Sequence, residues 1–456
     1  MFLQNTGGIR MKKKLLLAVI TAMLTFAMVA CGGKDDKQPS TSSGNQDTKN
    51  ETSDEAKDNT EKEKIIFWYA HKSEEAKAFE EAIADFNAQS DKYVVEGLSV
   101  TDKQKLIVAL SGSDAPDVIE VSNQDILAYS SEGMLEDIGT IAKENGYDMD
   151  AIYSQQAIHS NERDGVIYGV PFAAQIIQMF YNKDILAELG YDAPPETMEQ
   201  LFEMAVEATE VDENGVITRV GYPLFPLASA RQELIYAFGG RWWSEDGLSV
   251  TPDNPHILES LNMNLKYREK YGIEKVQEFV ATSNTNRYTE NDMFFAGKQL
   301  FRFDGPWLAT MAADWGPDVN FGVSMIPGTE ANPELRGVSR YETNSLAIPV
   351  VSEHKEGAFE FVKFFTNSET TKKTLMAIGN LPTLLSLYED ADIIGQPGYE
   401  AFIDALKTEN GIQYPKIRDL AKYTSLIEEY LDYVYNGIKT PEEAMAELAA
   451  QAERIE

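Results

Sequence analysis

The chain has 456 residues, with 40 Lys and Arg against 74 Asp and Glu, a formal net charge of −34. This balance excludes a nucleic-acid binder, which needs a basic footprint to neutralise phosphates. A hydrophobic fraction of 43% excludes a wholly disordered chain. One cysteine, Cys31, excludes an internal disulfide and a cysteine-based zinc site. The histidines (His71, His159, His256, His354) are far apart and form no His-x-x-x-His pair, so neither a metal nor another cofactor is expected.

Residues 1–30 carry four basic side chains and no acidic one. Lys12, Lys13 and Lys14 precede an apolar run from Leu15 to Ala30, the charged and apolar regions of a secretory signal. The natural start reads as Met11. The run is short for a bilayer span, which takes about 20 residues. It ends Met28-Val29-Ala30-Cys31-Gly32, small residues before the lone cysteine, which resembles a bacterial lipobox. That resemblance implies cleavage before Cys31 and a diacylglyceryl group on its thiol, and two acyl chains suffice for stable anchoring. Cleavage takes the net charge from −34 to −38. Residues 32–64 contain no Val, Ile, Leu, Met or aromatic residue. Such a stretch cannot offset its ordering entropy and reads as a tether spanning roughly 30 Å.

The remaining residues exceed one comfortable core and predict two domains. Ile65 to Tyr69 predicts a strand buried on both faces. Ala76, Phe79, Ile83 and Phe86 share one stripe of a helix over 74–89. Tyr93–Val95 predicts a strand, Asp102–Ser111 a helix and Pro116–Val121 a third strand. This alternation argues for a parallel α/β sheet, whose ligands bind beyond the carboxyl ends of the strands. His71 and Lys72, and Asn123 and Gln124, occupy such ends, where a solvated loop is the alternative. Tyr168–Phe172 reads as a strand or crossing segment, and Gln178–Asn182 as a short apolar segment. Further helices are expected at 185–189 and 198–209, and a turn at Asp212–Gly215. From Glu356 onward the chain reads as helical, with Ala358, Phe361, Val362 and Phe365 on one face.

The run Tyr168-Gly169-Val170-Pro171-Phe172-Ala173-Ala174-Gln175, followed by Tyr181-Asn182-Lys183-Asp184, resembles extracellular solute-binding proteins of family 1, the sugar-type receptors of ABC importers. Ala115-Pro116-Asp117-Val118, Pro194-Pro195-Glu196-Thr197, Gly239-Gly240, Val250 to Pro255, Ala296-Gly297-Lys298, Gly305-Pro306-Trp307 and Leu381-Pro382 match in the expected order. The resemblance implies two α/β lobes of the periplasmic-binding-protein type, each a mainly parallel sheet flanked by helices, with a ligand cleft between them. It maps lobe 1 to 65–171 plus 330–375 and lobe 2 to 172–329 plus 376–456, with hinges near Phe172 and 328–335. It further implies a non-enzymatic, monomeric receptor that delivers a carbohydrate, with an oligosaccharide as the expectation, to permease subunits. That receptor would be lipid-anchored on the extracytoplasmic face of a Gram-positive-type cell.

A carbohydrate site needs amides or carboxylates for hydroxyls and aromatic plates for C–H faces. The resemblance points to Trp307 as a stacking plate, to Gln175 as a polar cleft residue and to Tyr423 as an aromatic from the last helices. Trp242 and Trp243 are adjacent, so on an extended segment at most one faces a cleft. Asp304 suits vicinal hydroxyls or else caps a turn. Arg231 reaches a ligand or pairs with an acid. Tyr341, Glu342 and Asn344 stand where the family usually carries small residues. Two alternatives remain open: a cationic solute between acids and aromatic walls, and a lipid-anchored glycoside hydrolase built on two carboxylates.

Overall fold

The computed structural model describes residues 62–455 apart from 113, 223, 225–227, 409 and 418. Cys31, its preceding segment and nearly all of the tether lie outside these residues. Among the described residues no helix is long and apolar enough to cross a membrane.

The first strand, β1 (Glu63–Tyr69), buries Ile65, Phe67 and Tyr69. Ile66 and Trp68 are only half-buried, because the opposite face is partly covered by surface side chains such as Lys105, whose ammonium lies 5.2 Å from the Trp68 ring. Helix α1 (Ser73–Gln89) buries Ala76, Phe79, Ala82, Ile83 and Phe86, the stripe that 3.6-residue periodicity requires. Strand β2 (Tyr93–Ser99), helix α2 (Lys103–Leu110), strand β3 (Val118–Ser122) and helix α3 (Asn123–Ser131) follow. Asp102 caps α2 through the backbone amides of Gln104 and Lys105, and Ser122 caps α3, as short oxygen-bearing side chains do at helix starts.

Strand β4 (Val170–Gln175) belongs to the same sheet, and β5 (Gln178–Asn182) opens a second one. Strands β6 (Phe301–Asp304) and β7 (Phe321–Ser324) complete that second sheet. Further along come β8 (Ser339–Arg340), β9 (Glu342–Ala347), β10 (Leu381–Pro382) and β11 (Gly411–Ile412). The first sheet has the order β10-β4-β9-β3-β1-β2, with β1 parallel to β2 and β3, and β9 antiparallel to β3 and β4. A helix over Lys355–Phe365 packs Phe361 and Phe365 against Phe67 and Phe172, at ring centroid distances of 5.1 and 5.3 Å.

The two-lobed α/β architecture stands, but the second sheet is not parallel. Its order is β6-β5-β7, antiparallel throughout. The reason lies in the crossings. Strand β5 carries the chain away from the first lobe, while β7 leads it back towards β8 and β9, so neighbours that return must run against β5. Its core is mostly helical: Leu201, Ile235, Ile257, Tyr267, Tyr423 and Leu431 from helices, with Trp242 from a bend, pack with Met179, Phe301 and Phe303 of the sheet.

Phe172 is wholly buried in the first core, and the chain crosses from the first sheet to the second at Ile176–Ile177. Leu381 and Pro382 pair with Ala174 and Ala173, which places this stretch in the first sheet. A third crossing, at Gly411–Ile412, pairs in parallel with Ser339–Arg340. Polar side chains lock the crossings together. The Gln178 amide donates to Gly337 O at 3.1 Å and accepts from Ile326 N at 2.8 Å, and Ser339 Oγ accepts from Ile177 N at 2.9 Å.

Candidate functional site

The carboxyl ends of β1, β3 and β4 meet the amino end of β9, with Asn344 opposite Ser122 and Glu342 opposite Gln175. One carboxylate organises this rim. Glu120, buried on β3, accepts from Ala70 N at 2.8 Å and from Asn344 Nδ2 at 2.6 Å. Asn344 Oδ1 in turn accepts from Gln175 Nε2 at 3.0 Å. His71 stacks on Phe79 with centroids 4.7 Å apart. Its Nδ1 lies 3.0 Å from Glu75 and its Nε2 3.6 Å from Glu120. Burial disfavours charge on His71, but hydrogen bonds and attraction from Glu120 and Glu75 outweigh it and raise the imidazole to about 9. Glu120 is correspondingly held below the usual carboxylate range: burial opposes its charge, and His71, Asn344 and the Ala70 amide overcome that.

A second constellation lies where the crossings meet the second lobe. Arg340 Nε donates to Glu342 at 2.7 Å, and Tyr414 OH donates to the same carboxylate at 2.9 Å. Arg340 N donates to Glu233 at 3.2 Å. Burial pushes Glu233 up to about 8, only partly countered by Arg340, so it is mostly a neutral acid at pH 7. Gln232 donates to Glu428 at 2.9 Å, and Arg231 bridges Glu428 and Asp432 at 2.9 and 2.6 Å.

The third group lies at the end of β6. Arg302 and Asp304 point into the lobe and are buried, and Arg302 pairs with Asp292 at 2.7 Å and Asp304 at 2.8 Å. Tyr288 OH donates to Asp304 at 2.9 Å and accepts from Trp307 Nε1 at 3.0 Å. The Trp307 indole lies over Gly305, where an added Cβ would sit 2.1 Å from ring carbons. Only glycine fits under that ring.

Most of the candidates from the sequence fall into these groups. His71, Gln175, Glu342, Asn344, Arg231 and Trp307 are partly exposed within them; Gln124 is also partly exposed, and Lys72 is exposed. Four candidates are fully buried inside the protein. Asn123 is fully buried, donating to Tyr341 O and accepting from Thr343 N. Asp304 is fully buried against Arg302 and Tyr288. Trp242 is fully buried, and Tyr423, equally buried, donates to its carbonyl at 2.7 Å. These are packing and positioning residues. Trp243 donates to Gln413 O at 3.0 Å and lines a cavity of ≈ 750 Å³ with Leu127, His159, Arg241, Tyr414 and Lys416. Sequence reasoning missed Glu120, Glu233, Tyr288, Arg302, Arg340 and Tyr414. The signal for two was present: Glu120 and Arg302 are charges inside apolar strand runs, and a buried charge demands a partner.

Residues 44–372 match the model of the bacterial extracellular solute-binding proteins. A maltotriose-binding protein of Pyrococcus abyssi is 25% identical over 352 residues, covering 75% of this chain and 72% of that one. A galactooligosaccharide-binding protein of Bacillus subtilis is 21% identical over 458 residues, covering 97% of both. A mannotriose-bound structure of the binding protein CpMnBP1 superposes with a TM-score of 0.73 at 20% identity, over 86% of this chain and all of the other. The match spans both lobes and all but the last crossing, and on that ground the chain belongs to the family of bacterial extracellular solute-binding proteins.

Proposed function

We propose that this protein is the lipid-anchored receptor of an ABC importer. It captures a neutral saccharide between its lobes and presents it to the permease. The observation that carries the reading is the rim at the strand ends, where the partly exposed Gln175, Asn344 and Glu342 stand together on paired strands. The chain is strongly acidic, and the carboxylates of the three groups outnumber the cations they share: Glu120 and Glu75 with His71, Glu342 with Arg340, Glu428 and Asp432 with Arg231, Asp304 and Asp292 with Arg302. Glu233 is mostly uncharged. A site in this state offers a phosphate no excess of cations, while its amides and paired ions offer donors and acceptors to hydroxyls.

In this reading His71, Gln124, Gln175, Glu342 and Asn344 bind hydroxyls from the first lobe, and Trp307 stacks from the second. Arg231 and Trp243 border the site. The ligand prefers the closed arrangement and shifts the open–closed equilibrium by that preference. Cys31 carries the lipid, residues 32–62 form the tether up to the start of β1, and the receptor works as a monomer without turnover. The names of its relatives support oligosaccharides as the first compounds to try.

Thermal unfolding with maltotriose, mannotriose, galactooligosaccharides, diacetylchitobiose, spermidine and glycerol 3-phosphate tests this. At one hundred times Kd a true ligand stabilises by about 2.7 kcal/mol. Stabilisation by a neutral saccharide alone is expected. Stabilisation by spermidine alone, or hydrolysis of any saccharide, sinks the proposal.

A further inference from the structure

Tyr288 has φ +57°, a left-handed conformation that is an outlier for a bulky side chain. It is held there from several sides. Its amide donates to Asp292 Oδ2 at 2.9 Å. Its ring lies 5.2 Å from the Arg302 guanidinium and 5.0 Å from that of Arg287. Its hydroxyl donates to Asp304, at 2.9 and 3.1 Å from the two oxygens, and accepts from the Trp307 indole at 3.0 Å. Asp304 is fixed by the buried Arg302 and by Gly305 N at 2.8 Å. The chain of contacts therefore runs from a buried ion pair, through one phenol, to one partly exposed indole.

We infer that Tyr288 is a positioning residue for Trp307, holding the indole N–H inward so that the second lobe offers a ligand the ring face and not a hydrogen-bond donor. The inference rests on the saccharide reading for its consequence, since an aromatic face recognises the C–H face of a pyranose ring. The orientation itself does not depend on the ligand. One side of the indole is covered by Gly305 and the N–H is occupied, so recognition here is by stacking. Trp307 then favours sugar rings with an extended apolar face and reads no particular hydroxyl. Asp304, the carboxylate nearest in sequence, acts through Tyr288 and does not touch the ligand.

The test uses the full folded chain with Tyr288→Phe, which keeps the ring and removes only the hydroxyl. Asp304 retains Arg302 and Gly305 N as partners, so folding should survive; an unchanged circular dichroism spectrum checks this. In the ligand-free protein, the 1H–15N indole resonance of Trp307, assigned by its loss in Trp307→Phe, should move upfield in Tyr288→Phe while the other four indole resonances stay in place. An unmoved resonance overturns the inference. With the saccharide of the thermal panel that binds most tightly, Tyr288→Phe should weaken affinity about 10-fold, or about 1.4 kcal/mol. In a Trp307→Ala background the same substitution should change affinity less than 2-fold. An undiminished 10-fold loss there would show Tyr288 acting independently of Trp307 and would refute the positioning role. If no saccharide binds the parent chain but the indole resonance moves, the carbohydrate reading fails and the positioning of Trp307 stands.

Discussion

The two lobes neutralise their buried carboxylates in different ways. In the first, Glu120 depends on a histidine and on neutral donors: Ala70 N and Asn344 Nδ2. In the second, Asp304 and Asp292 share one arginine. An arginine stays charged at any accessible pH, whereas a histidine does not. The second-lobe cluster is therefore a fixed frame around Trp307. The first-lobe rim carries a charge that can be removed, and the amides of Asn344 and Gln175 are chained to it. The ends of β1, β3, β4 and β9 form a rim of adjustable polar groups, and the end of β6 forms a rigid aromatic one.

Removing the fixed charge should produce the largest effect. Arg302→Met leaves Asp292 and Asp304 buried without their cation, and breaking one side of a buried ion network costs about 3–5 kcal/mol. Urea unfolding should show a midpoint lowered to match, or a protein that no longer folds. A loss under about 1 kcal/mol would mean that the two aspartates take up protons and tolerate burial. The matching change in the first lobe should be milder. Glu120→Gln keeps shape and one acceptor while removing charge, so about 1–3 kcal/mol is expected. It should also drop the His71 pKa from about 9 towards the ordinary value, read by NMR titration of the imidazole. An unchanged His71 titration would assign its shift to Glu75 alone.

The adjustable charge also predicts a pH dependence. His71 is raised in the folded state, so its contribution to stability is fully present below the unfolded value of about 6.5 and is lost as pH rises through about 9. Stability should fall by on the order of 1–2 kcal/mol over that window, and His71→Gln should flatten the fall. Glu120 is lowered, so its share is present at neutral pH and lost in acid. A first-lobe slope that persists in His71→Gln would point to another titrating group, with Glu233, raised to about 8 by burial, the next to replace. Glu233 acts in the opposite sense to Glu120: burial raises it, so its cost to the fold grows as pH rises from the ordinary carboxylate value to about 8 and is constant above that.

Much of this was legible in the sequence, and the failures share one cause. Periodicity located α1 within a residue and the helix at 355–365 by its apolar face, because a stripe of Phe and Ala is a local property. Trp307 was singled out by the resemblance of the Gly-Pro-Trp run to the family pattern, and its contact with a ligand is part of the proposal. Strand direction in the second lobe was not local: it depends on which strands leave and which return across the hinge, and nothing within Phe301–Asp304 encodes that. Burial of Asn123, Trp242 and Tyr423 was hidden likewise. Each bonds to a segment distant in sequence: Asn123 to Tyr341 and Thr343, Tyr423 to Trp242. Their residue types alone suit a cleft equally well. Cys31 and the tether depend on composition and remain readings of the sequence.

The smallest expected effect on stability sharpens the contrast most. Gly305→Ala places a methyl group 2.1 Å from Cη2 and Cζ3 of Trp307, so something must move. The backbone at Gly305 is held by Asp304 on one side and by the start of the helix Trp307–Trp315 on the other. The indole is only partly buried and makes one hydrogen bond, to Tyr288, so the ring is the softer element. It should swing off Tyr288 at a cost near 1 kcal/mol in stability, while affinity for a stacking ligand falls about 10-fold. The first-lobe network should be untouched, with the His71 titration identical to that of the parent. Should the substitution instead cost more than about 3 kcal/mol, the backbone has yielded in place of the ring. Trp307 would then be as rigid as the ion pair behind it, and the frame of the second lobe would extend to the ligand itself.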